Sequence, residues 1–194
     1  METSVSLLGR IANAPTDDDW RRLDELYRPL LRGWVARVGV PASDVDDLVQ
    51  EVLFVVVRKI SGFERRGKGA FRTWLRTILA NKMGDYFSKQ KHLPTAVGGS
   101  DFQGVLEGLK SPDSALSRLW DREHDEHVLA EAIKRVQGQG DFTPVTWEAF
   151  RRHVTKGEPA AEVAKALDLS LNSVLLAKSR VLKRLRQELA GLVE

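Results

Sequence analysis

Apolar residues recur every three or four positions through most of the chain, which is the spacing of one face of an α-helix. In the first such stretch, Leu23, Tyr27, Leu31 and Trp34 follow Thr16, a candidate N-cap. No stretch shows the strict alternation of apolar and polar residues that marks a half-buried strand. The pattern therefore predicts an all-α protein.

The predicted helices fall into two groups, separated by a stretch without helical periodicity. Residues 92–113 contain several glycines, prolines and serines in place of an apolar face. This composition is typical of a flexible linker. We therefore expect two small helical domains, residues 1–91 and residues 114–194, joined by a flexible linker at residues 92–113.

The expected first domain holds two further helices. One has Ser43 as its candidate N-cap and carries apolar residues from Leu48 to Val56. The other begins near Ala70 and continues past Tyr86. We expect Phe71, at the start of the apolar side of this last helix, to lie in the domain core.

The expected second domain ends in two helices that are separated by very few residues. They span about 159–167 and 171–189, and only Asp168, Leu169 and Ser170 connect them. So short a connection forces a sharp turn, with Ser170 as the N-cap of the last helix. This arrangement is typical of a helix-turn-helix, whose second helix enters the major groove of DNA.

The overall composition restricts the setting in which the protein works. The 194 residues contain no cysteine, which fits a reducing compartment. No apolar run approaches the roughly 20 residues that a membrane-spanning helix needs, and the first residues do not form a signal peptide. We therefore expect a cytoplasmic protein that does not bind membranes.

Charge is distributed unevenly along the chain, although the net charge is only +3. Residues 58–91 contain ten lysines and arginines and two acids, and residues 178–186 contain five cations and no acid. Between them, residues 101–131 carry eight acids and three cations. Two separated basic stretches favour two contacts with nucleic acid, whereas ordinary solvated helix faces remain the alternative.

The basic stretch at residues 178–186 lies on the last helix, which carries one set of candidate DNA contacts. Its outward side begins with polar residues suited to base edges and continues with cations suited to phosphates, including Arg184 and Arg186. Leu176 can offer only an apolar contact, for example to a thymine methyl group. The candidates on this helix are Asn172, Ser173, Leu176, Ser179, Arg180 and Lys183. A helical hairpin with a solvated basic face is the alternative.

The other basic stretch combines a glycine-rich loop, residues 61–69, with the helix that follows it. Arg72 and Arg76 could bind phosphates, and unstacked bases could bind aromatic or guanidinium planes nearby. The loop lacks the Gly-Lys-Ser/Thr ending of a nucleotide-triphosphate loop. It is therefore better suited to a nucleic-acid backbone.

Asp47, Gln50 and Glu51 lie three and four residues apart on the second predicted helix. This spacing places them in one exposed patch, with Leu48 and Val49 facing inward. The patch could bind a basic protein partner, and a solvated helix face is the alternative.

Two strings of residues resemble domain two of bacterial sigma factors, the specificity subunits of RNA polymerase. They are Asp44–Val52 and Gly69–Ile78, and residues 161–174 look like domain four of the same family. Asp168 stands where that family commonly has a turn glycine. Because only a short linker is expected between the two domains, the chain looks like the compact extracytoplasmic-function (ECF) group.

The resemblance implies a partner for each surface. In the family, the positions that match Asp47, Gln50 and Glu51 bind core RNA polymerase. The matching loop and helix capture a flipped-out base of the single-stranded non-template DNA and help to melt the downstream promoter element. Domain four reads the upstream element in double-stranded promoter DNA. By position, the downstream role falls on Phe63, Arg65, Arg66, Lys68, Arg72, Thr73, Arg76, Thr77, Asn81 and Lys82.

The resemblance also implies a transcription initiation factor without catalytic activity or cofactor, and an anti-sigma factor as a possible partner. Two alternatives from other classes stay open. A metalloenzyme could use His124 and His127 with neighbouring acids, although metal-binding histidines on a helix are more often four residues apart. A DNA-binding regulator that does not engage polymerase would leave the acidic patch unexplained.

Overall fold

The computed structural model describes residues 6–64, 67, 69–90, 99–190 and 192–193. These residues form helices and no strand, which confirms the all-α prediction. The α-helices are α1 (Leu7–Asn13), α2 (Asp17–Arg37), α3 (Ala42–Lys59), α4 (Ala70–Gln90), α5 (Gly99–Lys110), α6 (Ala115–Gly138), α7 (Pro144–Phe150), α8 (Ala160–Ala166) and α9 (Leu171–Leu189). A 3-10 turn follows α3, and a π-helical turn continues α7. Within the described residues, no helix is long and apolar enough to cross a membrane.

The N-terminus of α2 is built as predicted, whereas that of α3 is not. The Thr16 hydroxyl accepts a hydrogen bond from the backbone N–H of Asp19, and the Asp19 carboxylate accepts one from the backbone of Thr16. Ser43 does not cap α3, because the helix begins directly after Pro41 and has no side-chain cap. The Ser43 hydroxyl instead donates to the carboxylate of Asp44. Pro41 is the N-cap, with a φ of −54° and an extended ψ of 143°, so Ser43 already lies inside the first turn.

The chain divides into two compact units. The first holds Met1–Val128 and Gly191–Glu194, and the second holds Leu129–Ala190. The division therefore falls later than the predicted start of the second domain at residue 114. The first half of α6, which the sequence placed in the second domain, packs in the first unit.

Part of the predicted linker is helical. Residues 91–98 lie outside the described residues, but Gly99–Lys110 forms α5. Its apolar residues follow helical spacing, and Leu109 is completely buried. One of the glycines that suggested a loop has another use, because a Cβ on Gly108 would lie 2.8 Å from the side chain of Leu116. Gly108 thus allows close packing against the start of α6.

Aromatic rings form much of the core of the first unit. Trp34 and Trp120 meet edge to face, with ring centroids 5.4 Å apart. Tyr27 stacks on His124 at 5.7 Å and contacts Phe71 at 5.4 Å. Phe71 is only 2% exposed, so its predicted place in the core is confirmed.

The second unit contains the predicted pair of helices with their short turn. Buried Val163 of α8 packs in one cluster with Val174 and Ala177 of α9. Between the helices, Asp168 has a φ of 53°, in the left-handed region that favours glycine. The Ser170 hydroxyl then accepts a hydrogen bond from the backbone N–H of Ser173 at 3.0 Å, which caps α9 as predicted.

The backbone of Asp168 leads to a stability prediction. Replacing Asp168 with glycine should raise the free energy of unfolding of the second unit by about 0.5–1 kcal/mol, since glycine adopts this conformation without steric cost. Chemical denaturation of the full chain, followed by hydrogen exchange in residues 129–190, would measure the change. Gly157→Ala is the matched control. It should lower the free energy of unfolding, because Gly157 has a φ of 73° that alanine adopts only with strain. An unchanged or lower stability of Asp168→Gly would contradict the prediction.

Candidate functional site

The acidic patch lies on the outer side of α3. Asp47, Gln50 and Glu51 are all exposed, while Leu48 and Val49 between them are buried. Glu51 accepts a hydrogen bond from the ammonium group of Lys82 at 3.1 Å. The predicted grouping of the three polar side chains on one accessible surface is therefore present.

Two apolar residues extend this surface and were missed in the sequence. Phe54 is 59% exposed and Val57 is 44% exposed. The guanidinium group of Arg58 lies 5.5 Å from the centroid of the Phe54 ring. The signal was available, because Phe54 follows Gln50 and Glu51 by four and three residues and so shares their face.

An open pocket with aromatic walls lies where α3 and its 3-10 turn lead into the loop before α4. The rings of Phe63 and Trp74 are 4.9 Å apart, and the pocket has a volume of about 500 Å³. Its lining residues are Lys59, Gly62, Phe63, Glu64 and Trp74. Such a pocket can stack an unpaired base on an aromatic ring while a nearby cation meets the backbone.

A stripe of neutral polar residues on α4 is accessible. Thr73, Thr77 and Asn81 are exposed at four-residue intervals, beginning next to Trp74. The Thr77 hydroxyl donates to the carbonyl of Thr73 at 2.9 Å, which leaves its oxygen able to accept. These groups can form hydrogen bonds with bases or sugars. Lys82, beside the stripe, is held by its ion pair with Glu51.

The two arginines of α4 do not have the accessibility that a phosphate contact requires. Arg76 is only 3% exposed, and its Nη1 donates to Asp121 at 3.1 Å and to the carbonyl of Ser117 at 3.2 Å. Arg72 forms an ion pair with Asp125. The expectation that this side of α4 faces nucleic acid is corrected by the structure, because the first half of α6 covers it.

The acidic stretch at residues 101–131 therefore has a structural role in addition to separating two basic stretches. Its carboxylates pair with arginines of the first unit, and Glu123 adds an ion pair to Arg37 at 3.0 Å. Burial alone would raise the pKa of Asp125, but hydrogen bonds with His124 and Arg72 outweigh it and lower the pKa. Asp125 thus stays ionised and holds Arg72 in place.

The histidines of α6 have structural contacts. His124 is completely buried, with Nε2 at 3.3 Å from the Tyr27 hydroxyl and Nδ1 at 3.0 Å from Asp125. The Nε2 of His127 lies 2.6 Å from the carbonyl of Leu26 and donates to it. In the part of the chain that the structure describes, no cluster of three or more histidine and acidic side chains could hold a metal ion.

Three predicted cations of the loop, Arg65, Arg66 and Lys68, lie outside the described residues. Phe63, predicted with them, is half-buried and lines the aromatic pocket. The structure therefore places the ring of Phe63 against Trp74, the chain neighbour of exposed Thr73 at the start of the polar stripe of α4.

The outer side of α9 presents most of the residues predicted for it. The exposed side chains are those of Asn172, Leu176, Ser179, Arg180, Lys183 and Arg186. Ser173 is half-buried, and its hydroxyl lies 2.7 Å from that of Ser170 in the helix cap.

Arg184 is not one of the free cations of α9. It pairs with Asp141 at 3.0 Å and with Glu188 at 2.6 Å. Burial would lower the pKa of Arg184, but these two hydrogen-bonded carboxylates outweigh it and raise the pKa. The expected phosphate contact of Arg184 is therefore replaced by contacts within the second unit.

A comparison with protein families gives a match within the first unit. Residues 23–93 match the family model of Sigma-70 region 2. No protein with curated annotation matches the chain. A solved structure described as "Structure of CnrH in complex with the cytosolic domain of CnrY" is 20% identical, covers 92% of each chain and has a TM-score of 0.38. Over residues 23–93, which contain α3, the aromatic pocket and α4, the chain is thus similar to region 2 of sigma-70 factors.

Proposed function

We propose that this protein is a sigma factor of the extracytoplasmic-function group. It binds core RNA polymerase in the cytoplasm and directs transcription initiation from specific promoters, without catalysing a reaction itself. The first unit acts as sigma domain two and the second as sigma domain four. The observation that carries the proposal is the match of residues 23–93, which include both the acidic patch and the aromatic pocket.

The surface of α3 is the proposed binding site for core polymerase. Asp47, Gln50 and Glu51 supply a polar rim, and exposed Phe54 supplies an apolar centre. Protein interfaces commonly combine a buried aromatic anchor with such a rim. The acidic side chains fit a basic partner surface.

The aromatic pocket and the exposed stripe of α4 form the proposed site for the downstream promoter element. An unpaired base of the non-template strand stacks on Trp74 or Phe63, and Thr73, Thr77 and Asn81 hold its neighbours by hydrogen bonds. Stacking on protein replaces stacking within the duplex, so the site favours melted DNA. The proposed phosphate contacts, on the basis of sequence, are Arg65, Arg66 and Lys68. Lys82 becomes a further phosphate contact if its ion pair with Glu51 opens.

The second unit is the proposed reader of the upstream element. The first turns of α9 enter the major groove, where Asn172 contacts a base edge. Exposed Arg180 and Lys183 meet phosphates. We include an anti-sigma factor among the proposed partners on the resemblance alone.

Run-off transcription tests the proposal. A library of genomic fragments would be transcribed by core polymerase with and without this protein. We expect a small set of discrete transcripts that appear only when the protein is present. If the transcripts are the same with core polymerase alone, the proposed function is wrong.

The pocket gives a more local prediction. Trp74→Ala should leave binding to core polymerase intact but weaken the open complex by about 1–3 kcal/mol, the usual contribution of one base stacked on an aromatic ring. Permanganate reactivity of promoter thymines would measure melting. Trp74→Phe keeps an aromatic ring and should retain most of the promoter melting. Normal melting by a well-folded Trp74→Ala variant would argue against the pocket.

A further inference from the structure

The start of α9 exposes apolar side chains that its packing does not explain. Leu171, Leu175 and Leu176 are 50%, 45% and 44% exposed. The inward side of the same turns is already filled by Val174 and Ala177, which are buried in the core of the second unit. The exposed leucines are therefore not needed to fill this inward side, and they are accessible on the outer surface.

Two of these leucines lie in the middle of the surface that a helix-turn-helix presents to DNA. At about 100° per residue, Leu175 and Leu176 lie on either side of exposed Asn172 and Ser179. All four residues are in the first three turns of the second helix, the part that reaches base edges in the major groove.

The charge around these leucines matches DNA. Lys178, Arg180 and Lys183 are exposed on the same helix. The one acidic residue of α9, Glu188, is buried and pairs with Arg184. An apolar spot bordered by cations and polar side chains suits a groove lined by phosphates.

In the major groove, the thymine methyl group is the apolar partner that a leucine side chain can contact. The groove edges of guanine, cytosine and adenine carry hydrogen-bonding groups, and only thymine adds a methyl group at C5. A leucine cannot satisfy the donors and acceptors of the other edges, which would lose their water without replacement. A thymine methyl group packed against it instead removes apolar surface from water.

We propose that Leu175 and Leu176 are specificity-determining residues that read the C5-methyl groups of thymines in the upstream promoter element. This inference rests on the proposed function of the second unit. It assigns recognition of thymine to apolar side chains, beside the polar contact of Asn172.

The test removes the methyl group from the DNA and the side chain from the protein. Duplexes would be selected from a random library by the full chain bound to core polymerase, and each thymine of the selected upstream element would be replaced by deoxyuridine. Loss of one buried methyl contact should weaken binding about fourfold at one or two positions. Each of the variants Leu176→Ala and Leu175→Ala should bind the thymine and deoxyuridine duplexes equally when the replaced thymine is the one that this leucine contacts. Leu176→Met, which keeps an apolar side chain of similar volume, should restore the preference.

Two controls separate this inference from the proposed function. Val145→Ala removes an apolar side chain that is 47% exposed on α7 and should leave the thymine preference unchanged. Lys183→Ala should weaken both duplexes by the same factor and flatten the salt dependence, as loss of a phosphate contact would. If Lys183→Ala weakens binding but both leucine variants keep the full preference for thymine, the leucine assignment is overturned. If no variant of α9 changes DNA binding, upstream reading by this helix is itself wrong, and the inference falls with it.

Discussion

Reversing two charges of the acidic patch, with Asp47→Lys and Glu51→Lys, is expected to abolish binding to core RNA polymerase. Both side chains are exposed, so the fold should persist. Placing like charges across an interface costs several kcal/mol, which weakens binding about 100-fold or more. Glu51→Lys also turns the attraction to Lys82 into repulsion. Co-elution with core polymerase, together with a binding titration, would measure the loss.

A matched control separates this surface from net charge. Glu107→Lys with Glu126→Lys changes the charge by the same amount at two exposed positions on α5 and α6. This control should bind core polymerase within about threefold of the wild type, because its charges lie outside the proposed interface. Unchanged co-elution of the Asp47 and Glu51 variant, or an equal loss in the control, would rule out the proposed site.

Trp120→Ala is expected to have the largest effect on stability, lowering the free energy of unfolding of the first unit by about 3–5 kcal/mol. Trp120 is completely buried, packs edge to face on Trp34, and donates its indole N–H to the carbonyl of Arg72 at 3.0 Å. Truncation would leave a cavity and remove the hydrogen bond of the indole N–H in this unit. Hydrogen exchange along the full chain would show where protection is lost.

The same experiment tests where the first domain ends. With the boundary between Val128 and Leu129, Trp120→Ala should reduce protection in α2 and α4 and leave residues 129–190 unchanged. Trp147→Ala, which alters a half-buried tryptophan of the second unit, should do the reverse. If Trp120→Ala reduces protection only in residues 129–190, the boundary expected from the sequence is correct after all.

Helix positions were predictable where local signals agreed with one another. The span Leu171–Leu189 follows from Ser170 as N-cap and from an inward side formed by Val174, Ala177 and Val181. The capping box at Thr16 similarly fixes the start of α2. In these segments the apolar spacing and the caps are local properties, and packing did not override them.

Other features depend on contacts between distant segments and were not predictable. Nothing in residues 70–90 indicates that α6 will cover Arg76, because a helical pattern shows which residues share a face but not which segment packs there. The glycines of α5 lowered its apparent helix propensity, although Gly108 allows close packing on Leu116. In both cases tertiary packing determined the outcome.

The differing surroundings of the tryptophans give the protein an intrinsic optical reporter. Trp34 and Trp120 are enclosed and shielded from a dissolved quencher such as acrylamide, whereas Trp74 borders the open pocket. A nucleobase stacked on its indole ring would quench the fluorescence of Trp74 and leave the enclosed pair unaffected. Subtracting the emission of a Trp74→Phe variant would isolate this signal. Occupancy of the pocket by unlabelled DNA could then be followed in real time.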